Sequence, residues 1–192
     1  MSTYKSLGGP AGGLLLTNDG EIAEGLDRIA FPGMTANFDV ARTAALALTM
    51  LDWREYGQAY ATAMVEVAHA LAEALDAEGV PVFARNRGFT TSHQFAVEAA
   101  RYGGGQTASK ALRKAGFLTS GIGLPVAPVA GDMNGLRMGT PEIVRWGVGK
   151  DDAPRLAGLI ARALETDRPE ALMREVRELR GVFRTLKFVM VA

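Results

Sequence analysis

Residues 55–79 read EYGQAYATAMVEVAHALAEALDAEG and run straight into VPVFA at 80–84. Tyr56, Tyr60, Met64, Val67, Leu71 and Leu75 recur three or four apart, which places them on one face of a helix from about Glu55 to Glu78. Gly79 supplies the left-handed stop, and Val80–Ala84 then turns strand-like. An α/β chain follows from this switch, with a long helix linking two parts. The expected organisation is a first part over 1–54, a linking helix over 55–79, and a small C-terminal α/β domain over 80–192.

Downstream, QFAVEA (94–99) alternates as a half-buried strand does. Thr107–Ala115 reads as a short helix closed by Gly116, and Gly135–Met138 as a strand. Thr140-Pro141-Glu142 has the form of an N-cap followed by proline in the first helical turn. Two amphipathic helices are expected at about Asp152–Leu164 and Pro169–Phe183. Upstream, Asn18-Asp19 opens a short helix over Gly20–Ile29, the loop FPGMTANFD covers 31–39, and Ala41–Leu51 reads as a largely buried helix. GGLLLT (12–17) reads as a buried strand. One strand with a few helices does not make a sheet, because its backbone groups need partners. The first fifty residues therefore look like the end of a domain whose beginning lies elsewhere.

Composition narrows the chemistry. The 192 residues carry 21 Lys+Arg against 21 Asp+Glu, so net charge gives no electrostatic basis for nucleic-acid or anionic-membrane capture. With no cysteine, disulfides, thiolate zinc sites and cysteine nucleophiles are excluded. The two histidines, His69 and His93, are too few for a histidine-rich metal centre. No segment reaches the roughly 18 apolar residues of a membrane span, and MSTYKSLGGP lacks a signal-peptide core. A soluble, cytoplasmic protein is expected.

Two cations stand out. Lys5 precedes Gly8, Gly9, Gly12 and Gly13, where backbone can approach a ligand without a Cβ clash; the plainer reading is a terminal Lys before a turn. Arg137, in NGLRMGTP, could hold a carboxylate in a two-pronged fork, or could simply face water from an edge strand. His93 reads as structural and His69 as packing on the long helix. Asp151-Asp152 reads as first-turn charge favoured by the helix dipole. Gly103–Gly105 could cradle an anion, although a hairpin turn is the preferred reading.

Four stretches together resemble the C-terminal half of serine hydroxymethyltransferase, a fold-type I pyridoxal-phosphate enzyme. STYKSLGGPAGGLLLTND (2–19) is similar to the family segment T-H-K-T-L-x-G-P-x-G-G, and IAFPGMTAN (29–37) to V-F-P-G-x-x-G-G. TTSHQFAVEA (90–99) is similar to T-D-N-H-L-x-x-V-D, and NGLRMGTPEIVRWG (134–147) to S-G-I-R-x-G-T-P-x-x-T-x-R-G. The likeness implies that Lys5 forms the Schiff base with pyridoxal 5'-phosphate and that Arg137 holds the substrate carboxylate. It also implies that Thr3, Tyr4, Gly33 and Thr35 lie on the cofactor side, and that the groups holding phosphate and ring come from sequence not present here.

Three departures stand against the pattern. Tyr4 replaces the family histidine, MTANF (34–38) replaces the Gly-Gly pair, and LPVAPVAGDMNG (124–135) does not follow the folate-side loop. The last weakens the expectation of tetrahydrofolate use, and an α-substituted amino acid or a larger aldehyde suits the motifs as well. The resemblance implies one half of a split enzyme doing aldol-type chemistry at Cα of an amino acid. Its partner would be a separate chain carrying the N-terminal half, assembled as a dimer of heterodimers. Alone, this half should be aggregation-prone. The alternatives are a non-catalytic scaffolding subunit, a fragment of a longer enzyme, and a racemase or decarboxylase half using the same lysine.

Overall fold

The computed structural model describes residues 1–37 and 39–190. Phe38, at the end of the divergent MTANF stretch, lies outside the described residues. The described residues divide into two compact units, Met1–Glu55 with Met190, and Tyr56–Val189. No helix among the described residues is long and apolar enough to cross a membrane.

In the first unit, helix α1 (Gly20–Arg28) starts where the sequence predicts, with the Asp19 carboxylate accepting from the Ile22 N–H at 3.1 Å. A turn at Ile29–Met34 follows, kinked at Phe31, whose backbone is extended, and it contains a cis Phe31–Pro32 bond. Two expectations fail here. Gly12–Thr17 is not a strand: Gly13 makes one isolated bridge to Ser2, and Leu16 is 81% exposed. The helix expected at 41–51 is not buried either; Val40 and Leu48 face outward, while Thr49 is buried. Both misreadings have one cause, since apolar content marks a segment for burial without naming what buries it.

That helix and the expected linking helix are one element, α2 (Val40–Ala77), of 38 residues. The gap left between the two expected helices, Asp52-Trp53-Arg54, holds neither glycine nor proline, so nothing stops the ladder. From Tyr56 onward α2 belongs to the second unit. There Ala68, Leu71, Ala72 and Leu75 join the core with Phe95, Val97, Leu136 and Met138.

Those last four residues come from a three-stranded antiparallel sheet of β1 (Gln94–Glu98), β2 (Ser120–Ile122) and β3 (Gly135–Gly139), in the order β1-β3-β2. Helices α3 (Gly105–Ala115) and α5 (Ala153–Glu165) contribute Ala108, Leu112, Ala157 and Ile160 to the same core. Val80–Ala84 does not form the expected strand; only Val82 bridges to Val97. The short α4 (Pro141–Arg145) follows β3, and α6 (Met173–Arg180) comes after a 3-10 turn at Pro169–Leu172.

Thr140 precedes α4 as expected but does not cap it. Its hydroxyl, fully buried, points instead to the carbonyls of Met64 (2.7 Å) and His93 (3.1 Å), tying α2 and the start of β1 to the end of β3. Removing a buried hydroxyl while its acceptor stays costs about 1–3 kcal/mol. Thr140→Val should therefore lower unfolding stability by that amount, read as a shift in the urea midpoint.

The glycines at 103–105 do not form a hairpin turn. Gly105 begins α3, and the Asp132 carboxylate sits at that helix start. Asp132 accepts from the Gln106 N–H (2.9 Å), the Thr107 N–H (3.0 Å) and hydroxyl (2.8 Å), and its own neighbour Met133 N–H (2.6 Å). The anion cradle is thus filled from within the chain. These donors, Gln106 first, hold the Asp132 pKa at about 2 against an ordinary 3.8. Because the folded value is depressed, the stabilisation is complete above about pH 4 and fades as pH falls toward 2. Asp132→Asn should melt at a lower temperature than wild type at pH 7, with the gap closing between pH 4 and 2.

Candidate active site

In the first unit, Lys5 sits on a turn fixed by short-range hydrogen bonds. The Thr3 N–H donates to Gly12 O at 3.0 Å, the Gly9 N–H to Thr3 O at 2.8 Å, and the Gly8 N–H to Lys5 O at 2.8 Å. Thr3 is buried, and its hydroxyl donates to Pro10 O at 2.5 Å, so this side chain closes the turn. The turn docks on α2 of the same unit. Trp53 Nε1 donates to Leu7 O at 2.7 Å, and a Cβ at Gly9 would stand 3.3 Å from Thr49 Oγ1 and 3.4 Å from Leu46 Cδ1. A side chain at position 9 would have to push these neighbours, and Thr3 O at 3.2 Å, aside by a few tenths of an ångström.

The backbone of Lys5 is therefore held while its side chain is exposed, and no described residue hydrogen-bonds or ion-pairs with its amine. Tyr4 beside it is exposed as well. Thr35 closes the Ile29–Met34 turn, its hydroxyl donating to Ala30 O at 2.5 Å. A Cβ on Gly33 would lie 3.1 Å from Arg28 O. Thr3, Tyr4 and Lys5 thus share one turn, while Gly33 and Thr35 belong to a second turn of the same unit.

In the second unit, Arg137 is the middle residue of the middle strand. Strand alternation sends Leu136 and Met138 into the core and Arg137 to the opposite, exposed face. Its partners across the strands are Ala96 on β1 and Ser120 on β2, and Gly135 and Gly139 are its neighbours two residues either way along β3. The residues directly opposite Arg137 and two away along its own strand are thus all small. No described residue pairs with it, which leaves its fork of donors available to a carboxylate.

Arg145, in the same motif, is placed differently: its Cζ lies 4.6 Å from the centre of the Tyr60 ring. Burial pushes the Tyr60 phenol pKa up, and its hydroxyl donates to Pro141 O at 2.9 Å. His93 sits at the start of β1 with Nδ1 3.4 Å from Ser92 Oγ. His69 is exposed rather than packed, its ring edge-on to Phe89 at 6.0 Å. Asp152 caps a 3-10 turn, accepting from the Gly149 N–H at 2.8 Å.

Residues 1–160 match the family model for serine hydroxymethyltransferase. Alpha-methylserine aldolases from Variovorax paradoxus and Ralstonia sp are 61% and 57% identical over 189 and 190 residues, covering 98% of this chain and 43% of each relative. Serine hydroxymethyltransferase from Pyrobaculum neutrophilum is 38% identical over 188 residues, 97% of this chain and 44% of that protein. Among solved structures, L-threonine transaldolase from Pseudomonas fluorescens aligns with a TM-score of 0.83 at 22% identity, over 98% of this chain and 43% of that one.

The fold is the C-terminal part of the fold-type I pyridoxal-phosphate-dependent transferase fold. The chain belongs to the serine hydroxymethyltransferase family, and it spans less than half the length of the relatives it matches.

Proposed function

We propose that this chain is the C-terminal half of a pyridoxal-phosphate-dependent aldolase of the serine hydroxymethyltransferase family. It makes or breaks a carbon–carbon bond at Cα of an amino acid. The observation that carries the reading is Lys5: an exposed amine with no partner among the described residues, on a turn whose backbone is tied down. A primary amine so placed suits the aldehyde carbon of the cofactor, and Lys5 is the residue that would hold it. When bound, pyridoxal phosphate supplies the electron sink for charge that develops at Cα.

This chain's own contributions are positional. Arg137 grips both carboxylate oxygens of the amino acid in its planar fork, which fixes the orientation of Cα. Thr3 holds the Lys5 turn through Pro10 O, so the amine starts from one backbone position. The remainder of the cofactor pocket comes from a separate chain carrying the N-terminal half, in a cytoplasmic hetero-oligomer. Two things support that partner. The relatives are more than twice as long, and the first unit exposes Leu15, Leu16, Ile22, Phe31, Met34 and Leu48. Six large apolar side chains exposed in one unit are more than a surface facing only water needs. The substrate class follows the alpha-methylserine aldolases, small amino acids substituted at Cα.

Co-purification with a polypeptide carrying the family's N-terminal half tests the proposal. The expected result is a stable, yellow complex that cleaves an α-substituted serine. A colourless chain that captures no such polypeptide overturns it. In the complex, binding of an apolar-surface dye should fall severalfold relative to the chain alone.

A further inference from the structure

The exposed face of the sheet carries more than Arg137. Gly135 lies two residues before it, on the same face and about 7 Å along the strand. Leu124 sits on Gly135: a Cβ there would fall 2.6 Å from both Leu124 Cγ and Cδ1. An isobutyl group thus forms a wall beside the arginine. It can stand there only because residue 135 has no side chain.

Leu124 is held in that place by Asn134, which is 8% exposed. The Leu124 N–H donates to Asn134 Oδ1 at 2.7 Å, and Asn134 Nδ2 donates to Leu124 O at 2.9 Å. The same nitrogen reaches Val126 O at 3.0 Å and Ala127 O at 3.3 Å. One buried amide therefore mimics a strand partner for Leu124 and gathers the following carbonyls. Pro125 and Pro128 stiffen the segment further.

We propose that Leu124 is a specificity-determining residue, positioned by Asn134, that limits the size of the side chain an amino acid can present beside its Arg137-held carboxylate. The inference rests on Arg137 being the carboxylate site. A wall of this kind discriminates by steric exclusion, and one or a few methylenes in an apolar pocket are worth about 10–200-fold.

The test is calorimetric titration of alanine, 2-aminobutyrate and phenylalanine into the full chain in complex with its N-terminal-half partner. Wild type should bind alanine most tightly and phenylalanine most weakly. Leu124→Ala should narrow the ratio of their Kd values by about tenfold or more. Asn134→Ala should narrow it too, and should speed limited proteolysis within 124–131, a readout independent of any chemistry. A wild type that discriminates, with an unchanged ratio in Leu124→Ala, overturns the inference and leaves the carboxylate role of Arg137 standing. Faster proteolysis in Asn134→Ala with an unchanged ratio overturns the positioning role. If no amino acid binds wild type, or Arg137→Ala binds as well as wild type, the carboxylate reading falls and the inference with it.

Discussion

Replacing Lys5 with alanine in the assembled complex should abolish the visible band that the cofactor shows only while joined to the lysine amine, and should lower kcat by several orders of magnitude. The size of the effect comes from the absence of a substitute. Its neighbours on the turn are Tyr4 and Ser6, neither of which carries an amine. The backbone of the turn does not depend on the Lys5 side chain, since its bonds run between Thr3, Gly9, Gly12, Pro10 and the Lys5 carbonyl. Lys5→Ala should therefore melt within about 0.5 kcal/mol of wild type, as surface substitutions usually do. Activity lost with stability kept separates a chemical role from a structural one. Retained absorbance in the variant would remove Lys5 from the mechanism.

Replacing Arg137 should act on binding first. Hydrogen bonds to a charged group are worth about 1.5–3 kcal/mol, so Arg137→Ala should reduce kcat/KM by about 10–100-fold. Arg137→Lys should recover little of the loss, because a point charge does not reproduce a planar fork. Ala96 and Ser120 flank the residue with little bulk, so neither variant meets a clash and the fold is retained. The pattern to look for is a larger rise in KM for substrates with a free carboxylate than for their amides. An equal effect on both would mean that the guanidinium does not grip the carboxylate.

The sequence made these two cations visible for different reasons. Lys5 could be singled out by the glycines around it, yet its turn is stabilised by Leu7 and Gly9 resting on Trp53, Leu46 and Thr49, some forty residues away. Arg137 could be placed on a strand by local pattern. Its exposed face and small neighbours follow from register with β1 and β2, which no local window contains. α1 and α3 were legible because each has a start or stop signal within a turn of one end, and β1 because its residues alternate. Thr140 shows the opposite case. It has the composition of a cap, but the carbonyls of Met64 and His93 compete for its hydroxyl and win because they are buried with it. Asp132 caps α3 from 26 positions away, beyond any rule based on neighbouring residues. Leu15 and Leu16 mislead for a further reason: apolar character reports a need for cover and is silent on which surface provides it.

β3 is hydrogen-bonded along both edges, to β1 and to β2, while its partners each have one edge turned away from it. In the language of amide exchange, a middle strand with a buried face opens last, at the free energy of the whole unit rather than of a local fluctuation. Arg137 rides on that strand. Loops and helix ends around it can fray and reclose many times before the guanidinium loses its position, so the carboxylate grip should last as long as the unit stays folded.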